Sequence, residues 1–189
     1  ATAVHSADQA VPAQPDRGLV RLPKEELDLL ELKPGQSLLV TGAAGAVGGY
    51  AVQLAARQGI TVTGLARAED EELVRSLGAA SFSSGAVAAG SVDGVLDAAL
   101  LGAAALDWLR DGGVFVGAIP GAAPEPVRGV RTVSVSVSAD GARLAELSGL
   151  VDEGVLTLRV AGTYPLAEAA KAHARLAEGG VRGRLVLVP

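Results

Sequence analysis

One stretch, Ser37 to Gln58, limits what this chain can fold into more than any other. Ser37 to Thr41 is a short apolar run of β character. Gly42 to Gly49 is too glycine-dense for a helix interior and reads as a turn. Tyr50 to Gln58 is alanine-rich and helix-favouring, and Gly59 stops it. A strand, a glycine turn and a helix in that order aim the first helical amides at an anion, and the helix dipole favours negative charge there. Ala43-Ala44-Gly45-Ala46-Val47-Gly48 is a dinucleotide fingerprint with alanine in the first glycine position. In it Gly45 lets backbone approach a pyrophosphate, and Gly48 lets the helix pack closely on the strand. Taken alone, such a turn reads equally as a device for tight packing. No charge occurs from Gln36 to Ala56, but the glycines, Gln53 and the strand-then-helix pattern argue against a membrane helix.

The chain of 189 residues is long enough for one sizeable domain. Aromatics are only 3%, so the core must be built from Ala, Val, Leu and Ile, which suits closely packed α/β layers. A net charge of -5 argues against a nucleic-acid surface. The absence of cysteine excludes disulfides and thiolate metal sites. His5 and His173 are far apart in sequence, which argues against a histidine metal cluster. No secretory signal is visible, and the cytoplasm is the expected compartment.

Strand and helix patterns alternate along the chain. Ala1 to His5 and Leu19 to Leu22 are short apolar pieces around a proline-containing loop, and Glu25 to Leu32 reads as a short helix. Lys33-Pro34-Gly35 then launches the first strand. Ile60 to Ala66 is a strand, Asp70 caps a helix through Leu77, and Ser81 to Ser84 is a weak strand. Val92 to Ala99 is a strand, Leu101 to Arg110 is helical, and Asp111-Gly112-Gly113 turns the chain into a strand from Val114 to Ile119. Thr132 to Ser138 alternates valine and serine, giving one apolar and one polar face. Ala142 to Glu153 is an amphipathic helix. Leu156 to Val160 reads as a strand, Tyr164-Pro165-Leu166 as a turn, Ala167 to Glu178 as a helix and Leu185 to Val188 as a last strand. This βαβ repetition predicts an α/β fold: a Rossmann-type, doubly wound parallel sheet with helices on both faces.

Ligands in such sheets sit past the carboxyl ends of the strands. The candidate cofactor-binding residues are therefore Ala44, Gly45, Ala46, Val47 and Gly48 at the first strand end, and Ala66 and Arg67 at the second. Ala98 stands at the third, and Gly117, Ala118 and Ile119 at the fourth. An NAD-preferring site usually has an acid at the second strand end. Here Ala66 and Arg67 stand there, and a guanidinium suits a 2′-phosphate, so NADP(H) is the favoured cofactor. The competing reading is a surface arginine paired with Glu69, Asp70, Glu71 or Glu72. Asp97 reads as a strand-end cap rather than a catalytic acid, Trp108 and Tyr50 as packing, and His173 as structural or solvated. No catalytic residue, Ser–His–Asp set or Tyr-x-x-x-Lys pair is evident.

Several runs, taken as a set, resemble the medium-chain dehydrogenase/reductase superfamily in its zinc-independent quinone oxidoreductase (zeta-crystallin-like) branch. They are Leu32-Lys33-Pro34-Gly35-Gln36, Gly42 to Gly49, Leu77-Gly78-Ala79, Val92 to Asp97, Asp111 to Phe115, Tyr164-Pro165-Leu166 and Gly183 to Leu187. The resemblance implies hydride transfer from NADP(H) to a quinone or an α,β-unsaturated carbonyl, without metal. The nicotinamide would lie across Gly117 and Ala118. It also implies a homodimer through the edge strand Val133 to Val137, whose alternation suits an edge seeking a partner. The family carries an N-terminal GroES-like catalytic domain of roughly a hundred residues, an ordinary domain size, and this sequence holds only remnant strands resembling it, at both chain ends. The implied division is 1–30 as catalytic-domain remnant and linker, 31–155 as the dinucleotide-binding domain, and 156–189 as the segment returning to the catalytic domain. The alternative is a non-redox protein (a pseudoenzyme, nucleotide-binding module or pathway cyclase) reusing this fold.

Overall fold

The computed structural model describes residues 23–136 and 139–189. The expected strands at Ala1 to His5 and Leu19 to Leu22 lie outside the described residues, as does Val137 at the end of the expected edge strand. The elements in chain order begin with α1 (Pro23–Leu30), β1 (Ser37–Thr41), α2 (Ala46–Arg57), β2 (Thr61–Leu65), α3 (Glu71–Ser76) and β3 (Ser81–Ser83). They continue with β4 (Val92–Asp97), β5 (Leu109–Gly117), β6 (Arg131–Ser134), α4 (Gly141–Asp152), β7 (Val160–Pro165), α5 (Ala169–Ala177) and β8 (Arg184–Val188). Six strands form one sheet in the order β3-β2-β1-β4-β5-β6, and every pairing in it is parallel. The chain leaves β1 toward β2 and β3, then returns to lay β4 on the other side of β1. That reversal is the switch point of a doubly wound sheet, where a crevice opens past the strand ends.

Period-two alternation decides which face each side chain serves. Leu38 and Val40 point to one face with Val62, Leu96 and Val116, and α2 covers them with Ala51, Val52 and Ala55. Leu39, Val95 and Phe115 point to the other face, against Ala105 and Leu106 of a 3-10 segment, Gly102–Trp108. That segment stands where the sequence predicts a longer helix.

Of the other boundaries that differ from the sequence reading, four have a physical reason in the structure. First, α2 starts at Ala46, so Val47, Gly48 and Gly49 are helical. Their glycines report close approach to the turn rather than an absence of helix. Second, β5 begins at Leu109, and Asp111-Gly112-Gly113 forms an irregularity within it, opposite a register shift between Val92 and Gly94. Third, β7 begins at Val160 rather than Leu156. Leu156 is buried in the main core, and the Thr157 amide donates to Oε1 of the buried Gln53 at 2.9 Å, so this stretch is committed elsewhere. Fourth, Tyr164 and Pro165 end β7, and the chain turns at Leu166–Glu168. β7 and β8 pair in parallel as a separate two-stranded sheet.

β6 is the edge of the large sheet, as expected, but its continuation is not a free surface. Val135 is buried in the main core, and its amide donates to the Gly117 carbonyl at 3.1 Å.

At the opposite end of the sheet, Asp93 locks β4 to β1. Its Oδ2 accepts from the Ser37 amide at 2.7 Å and the Ser37 hydroxyl at 2.6 Å, and Arg110 Nη1 stands 2.7 Å from Oδ1. Burial raises this carboxyl, but the Ser37 hydroxyl and amide, with Arg110, outweigh burial and hold it below the ordinary 3.8. A carboxyl depressed in the folded state binds its proton more readily when unfolded. The stability it contributes is therefore complete above its unfolded value and drains away as pH falls through the lower folded value. Urea midpoints of the unaltered chain are expected to fall between about pH 5 and pH 2. Asp93→Asn is expected to start lower at neutral pH and to flatten that acid limb.

Candidate functional site

The first strand end is built by close backbone packing. Gly42 takes φ 62, a left-handed conformation that glycine adopts freely, and a Cβ there would meet the Ala98 carbonyl group and the Ala99 nitrogen at 3.3 Å. The Gly45 amide donates to the Gly42 carbonyl at 2.8 Å and closes the turn. Gly45 is the N-cap of α2, with extended backbone and no capping side chain. The first helical amides have no acceptor within the helix. The first turn carries no acidic residue. An uncapped helix start with this charge balance is suited to an anion.

Arg159 supports this turn. Its Nη1 donates to the Ala44 carbonyl at 3.0 Å and its Nη2 to the Gly45 carbonyl at 2.7 Å. The guanidinium therefore straps the carbonyl side of the turn, opposite in kind to the amides that serve an anion. Burial lowers the Arg159 pKa, with Tyr50 and Asp70 acting the other way.

Past the strand ends lies an open cleft of about 550 Å³. Ala44, Gly45, Ala66, Arg67 and Ala98 line it, so the structure brings these five expected residues together. Ala46, Val47 and Gly48 form the first turn of α2 directly after them. Gly117, Ala118 and Ile119 stand at the end of β5, beside β4: Gly117 pairs with Asp97, and the Ala118 amide donates to the Asp97 carbonyl at 3.1 Å. They are not among the residues lining this cleft. Arg67 is largely exposed, and its Nη1 is 3.9 Å from Glu69, a loose surface pair.

Asp97 is buried, and its partners give it a structural post. Oδ1 accepts from the Thr41 hydroxyl at 2.6 Å and Oδ2 from the Gly102 amide at 2.8 Å. The Thr41 hydroxyl oxygen in turn accepts from the Ala99 amide at 2.9 Å. The strand-end role expected of Asp97 holds. Asp70 corrects the sequence reading: it occupies the N-cap position of α3, but its side chain caps nothing there. Its carboxylate instead takes a bidentate grip from Arg182, Nε to Oδ1 at 2.6 Å and Nη2 to Oδ2 at 2.7 Å. The hydrogen bond to Asp70 raises the Arg182 pKa, and burial opposes it.

Sequence reasoning missed Leu101 and Arg182, which line the cleft, and Arg159, which braces the turn; Trp108, read as packing, does pack against the second core cluster and also lines the cleft. Local patterns carry no sign of the two arginines. Gly183 was the one available signal. It sits at φ 146 with a hypothetical Cβ 2.6 Å from the Arg159 carbonyl oxygen, so the chain must pass Arg159 there.

The parallel order, the reversal between β1 and β4 and the uncapped helix start define a Rossmann-type dinucleotide-binding unit. The sequence pattern of the family described as zinc-binding dehydrogenase matches residues 43–187, and the chain belongs to that family, within the medium-chain dehydrogenase/reductase superfamily. It is similar to the chloroplastic quinone oxidoreductase of Triphysaria versicolor, 29% identical over 182 residues, covering 86% of this chain and 55% of that one. Among solved structures it resembles the quinone oxidoreductase from Coxiella burnetii, at 27% identity and a TM-score of 0.76, covering 87% of this chain and 56% of that one. A mycobacterial protein solved in complex with NADPH matches at 26% identity and a TM-score of 0.68, covering 88% of this chain and 62% of that one. The chain thus spans little more than half the length of these relatives.

Proposed function

We propose that this chain is the cofactor-binding part of an NADPH-dependent reductase that delivers hydride to a quinone or an enone. The observation that carries the reading is the turn Gly42 to Gly45, opening an uncapped helix onto a cleft at the switch point. The residues fit the cofactor. At Gly48 a Cβ would stand 2.3 Å from the Gly42 oxygen, and at Gly45 it would be in tight contact with the same oxygen at 3.0 Å. That closeness is what brings backbone amides up to a diphosphate. The named activities of the quinone oxidoreductases it resembles, and the NADPH held by the mycobacterial protein it also resembles, support the class.

When bound, NADPH supplies the hydride. This chain's residues bind and orient. The amides of Ala46 and Val47 would hold the diphosphate, Arg159 fixes the turn that presents them, and the small residue Ala98 leaves room beside backbone in the cleft. Zinc, which the family's description names, has no suitable donor set here: no group of three or more His, Cys, Asp or Glu among the described residues could hold a metal ion. No step is assigned to it.

Calorimetric titration with NADPH, followed by absorbance decay with a panel of small quinones and enones, tests this. Binding with turnover is the expected result. Binding without turnover on any acceptor supports a non-redox, nucleotide-binding use of the fold instead, and no binding removes the reductase reading and leaves only a non-redox use of the fold without the cofactor.

A further inference from the structure

The β2 end of the cleft carries a charge arrangement that the glycine turn does not explain. Asp70 is the one carboxylate among the residues lining the cleft, and it is only 6% exposed. An acid on this side of a dinucleotide site ordinarily accepts hydrogen bonds from ribose hydroxyls. Here Arg182 takes both oxygens, so Asp70 is committed and its charge is cancelled. Arg182 itself lines the cleft and uses Nε and Nη2 for this grip. Its Nη1 donates to none of the described residues. That leaves three N–H donors, two on Nη1 and one on Nη2, on a guanidinium held in a fixed plane, the geometry that suits a phosphate.

The placement of Arg182 is built into the fold. The Arg184 amide donates to the Arg159 carbonyl at 2.7 Å where β8 joins β7, and Gly183 squeezes past the same oxygen. Arg159 is strapped to the glycine turn. The loop carrying Arg182 is therefore referenced to the turn, and Arg182 lines the same cleft as Arg67.

From this juxtaposition we infer that Arg182 determines cofactor specificity: it neutralises Asp70 and, with Arg67, receives the 2′-phosphate of an adenine dinucleotide. The inference rests on the dinucleotide reading above and adds the residue that sets the preference for NADPH over NADH. A bare carboxylate at Asp70 would repel a phosphate, and Arg182 turns the same wall attractive.

The test titrates the full chain with NADPH, NADH and the fragments 2′,5′-ADP and 5′-AMP. Arg182→Gln is expected to weaken NADPH and 2′,5′-ADP between about tenfold and a hundredfold, the loss of one charge-assisted contact. NADH and 5′-AMP should change little, and Arg182→Lys should recover part of the loss. Asp70→Asn breaks the same pair from the other side but removes the negative charge, so it should keep or increase the NADPH preference. A pair that only holds the fold together predicts otherwise: both variants would weaken all four ligands alike, and that result overturns the inference. An unchanged NADPH-to-NADH ratio in Arg182→Gln overturns it too. Should that variant fail to fold, a fall in NADPH preference in Asp70→Asn does the same. Binding of neither dinucleotide by the unaltered chain removes the dinucleotide reading and this inference with it. Binding of both, with a ratio indifferent to Arg182, removes this inference alone.

Discussion

Gly48→Ala is expected to unfold the chain at markedly lower urea and to abolish cofactor binding. In an ordinary helix interior the same exchange is favourable, by about 1 kcal/mol of helix propensity. Here the new Cβ would stand 2.3 Å from the Gly42 oxygen, 2.8 Å from its carbonyl carbon and 3.0 Å from the Ala43 Cα. All three are backbone atoms, so no rotamer relieves the overlap. Gly42 is itself closely packed, since a Cβ placed on it would meet the backbone of Ala98 and Ala99 at 3.3 Å. Overpacking costs roughly 1–3 kcal/mol and more where the surroundings are rigid. At the rigid end of that range the clash exceeds the propensity gain and leaves a net loss of about 2 kcal/mol. Gly149→Ala is the control. It lies within α4 with nothing within 4 Å of a new Cβ, and it should gain up to about 1 kcal/mol. Urea unfolding of both variants, with NADPH titration of each, makes the comparison. Equal behaviour would mean that the helix does not sit on the turn as described.

The same contact shows what could be read in advance and what could not. β1 was legible to the residue, since Ser37 to Thr41 is apolar, β-branched in part, and bounded by Gln36 and Gly42. The site's first wall was legible for the same reason: a glycine turn between strand and helix advertises its own geometry. The start of α2 was not, because Gly48 and Gly49 look like helix breakers until the atoms they approach are known. Propensity lost there to a tertiary contact. The start of β7 was lost in the same way, once Leu156 proved to belong to the main core. Arg159 and Arg182 were out of reach altogether. Their partners lie 112 to 115 residues away along the chain, and no short-range period encodes such a pairing. Asp70 is one of four acids close to Arg67 in sequence, and nothing local marks it as the one that Arg182 claims. What periodicity and turn chemistry reveal is where strands end. Which charges gather there depends on how a distant segment returns.

Asp97→Ala is expected to cost about 3 kcal/mol or more, on the scale set by stranding buried polar groups. Asp97 is 2% exposed, and two donors converge on it, the Thr41 hydroxyl and the Gly102 amide. Alanine strands both. Asp97→Asn should cost less. Its carbonyl oxygen can still accept from Gly102, while its amide nitrogen can only donate to Thr41, leaving that hydroxyl proton unpaired. The effect reaches the cleft because the bonds flank Leu100, which sits at φ 62, a conformation uncommon for a residue with a side chain. Such strain persists only where neighbours over-determine it. Here the Ala99 amide is held by Thr41 on one side and the Gly102 amide by Asp97 on the other. Cutting the Asp97 contacts should let Leu100 relax and move Ala98, Ala99 and Leu101 away from the cleft they line. Cofactor affinity should then fall in the order unaltered, Asn, Ala, in step with the urea midpoints. A proton-donating Asp97 would behave differently: Asn would remove turnover while sparing stability and NADPH affinity. That separation, seen in calorimetry and steady-state rates on one preparation, would make Asp97 a catalytic acid rather than the brace that holds the cleft wall in place.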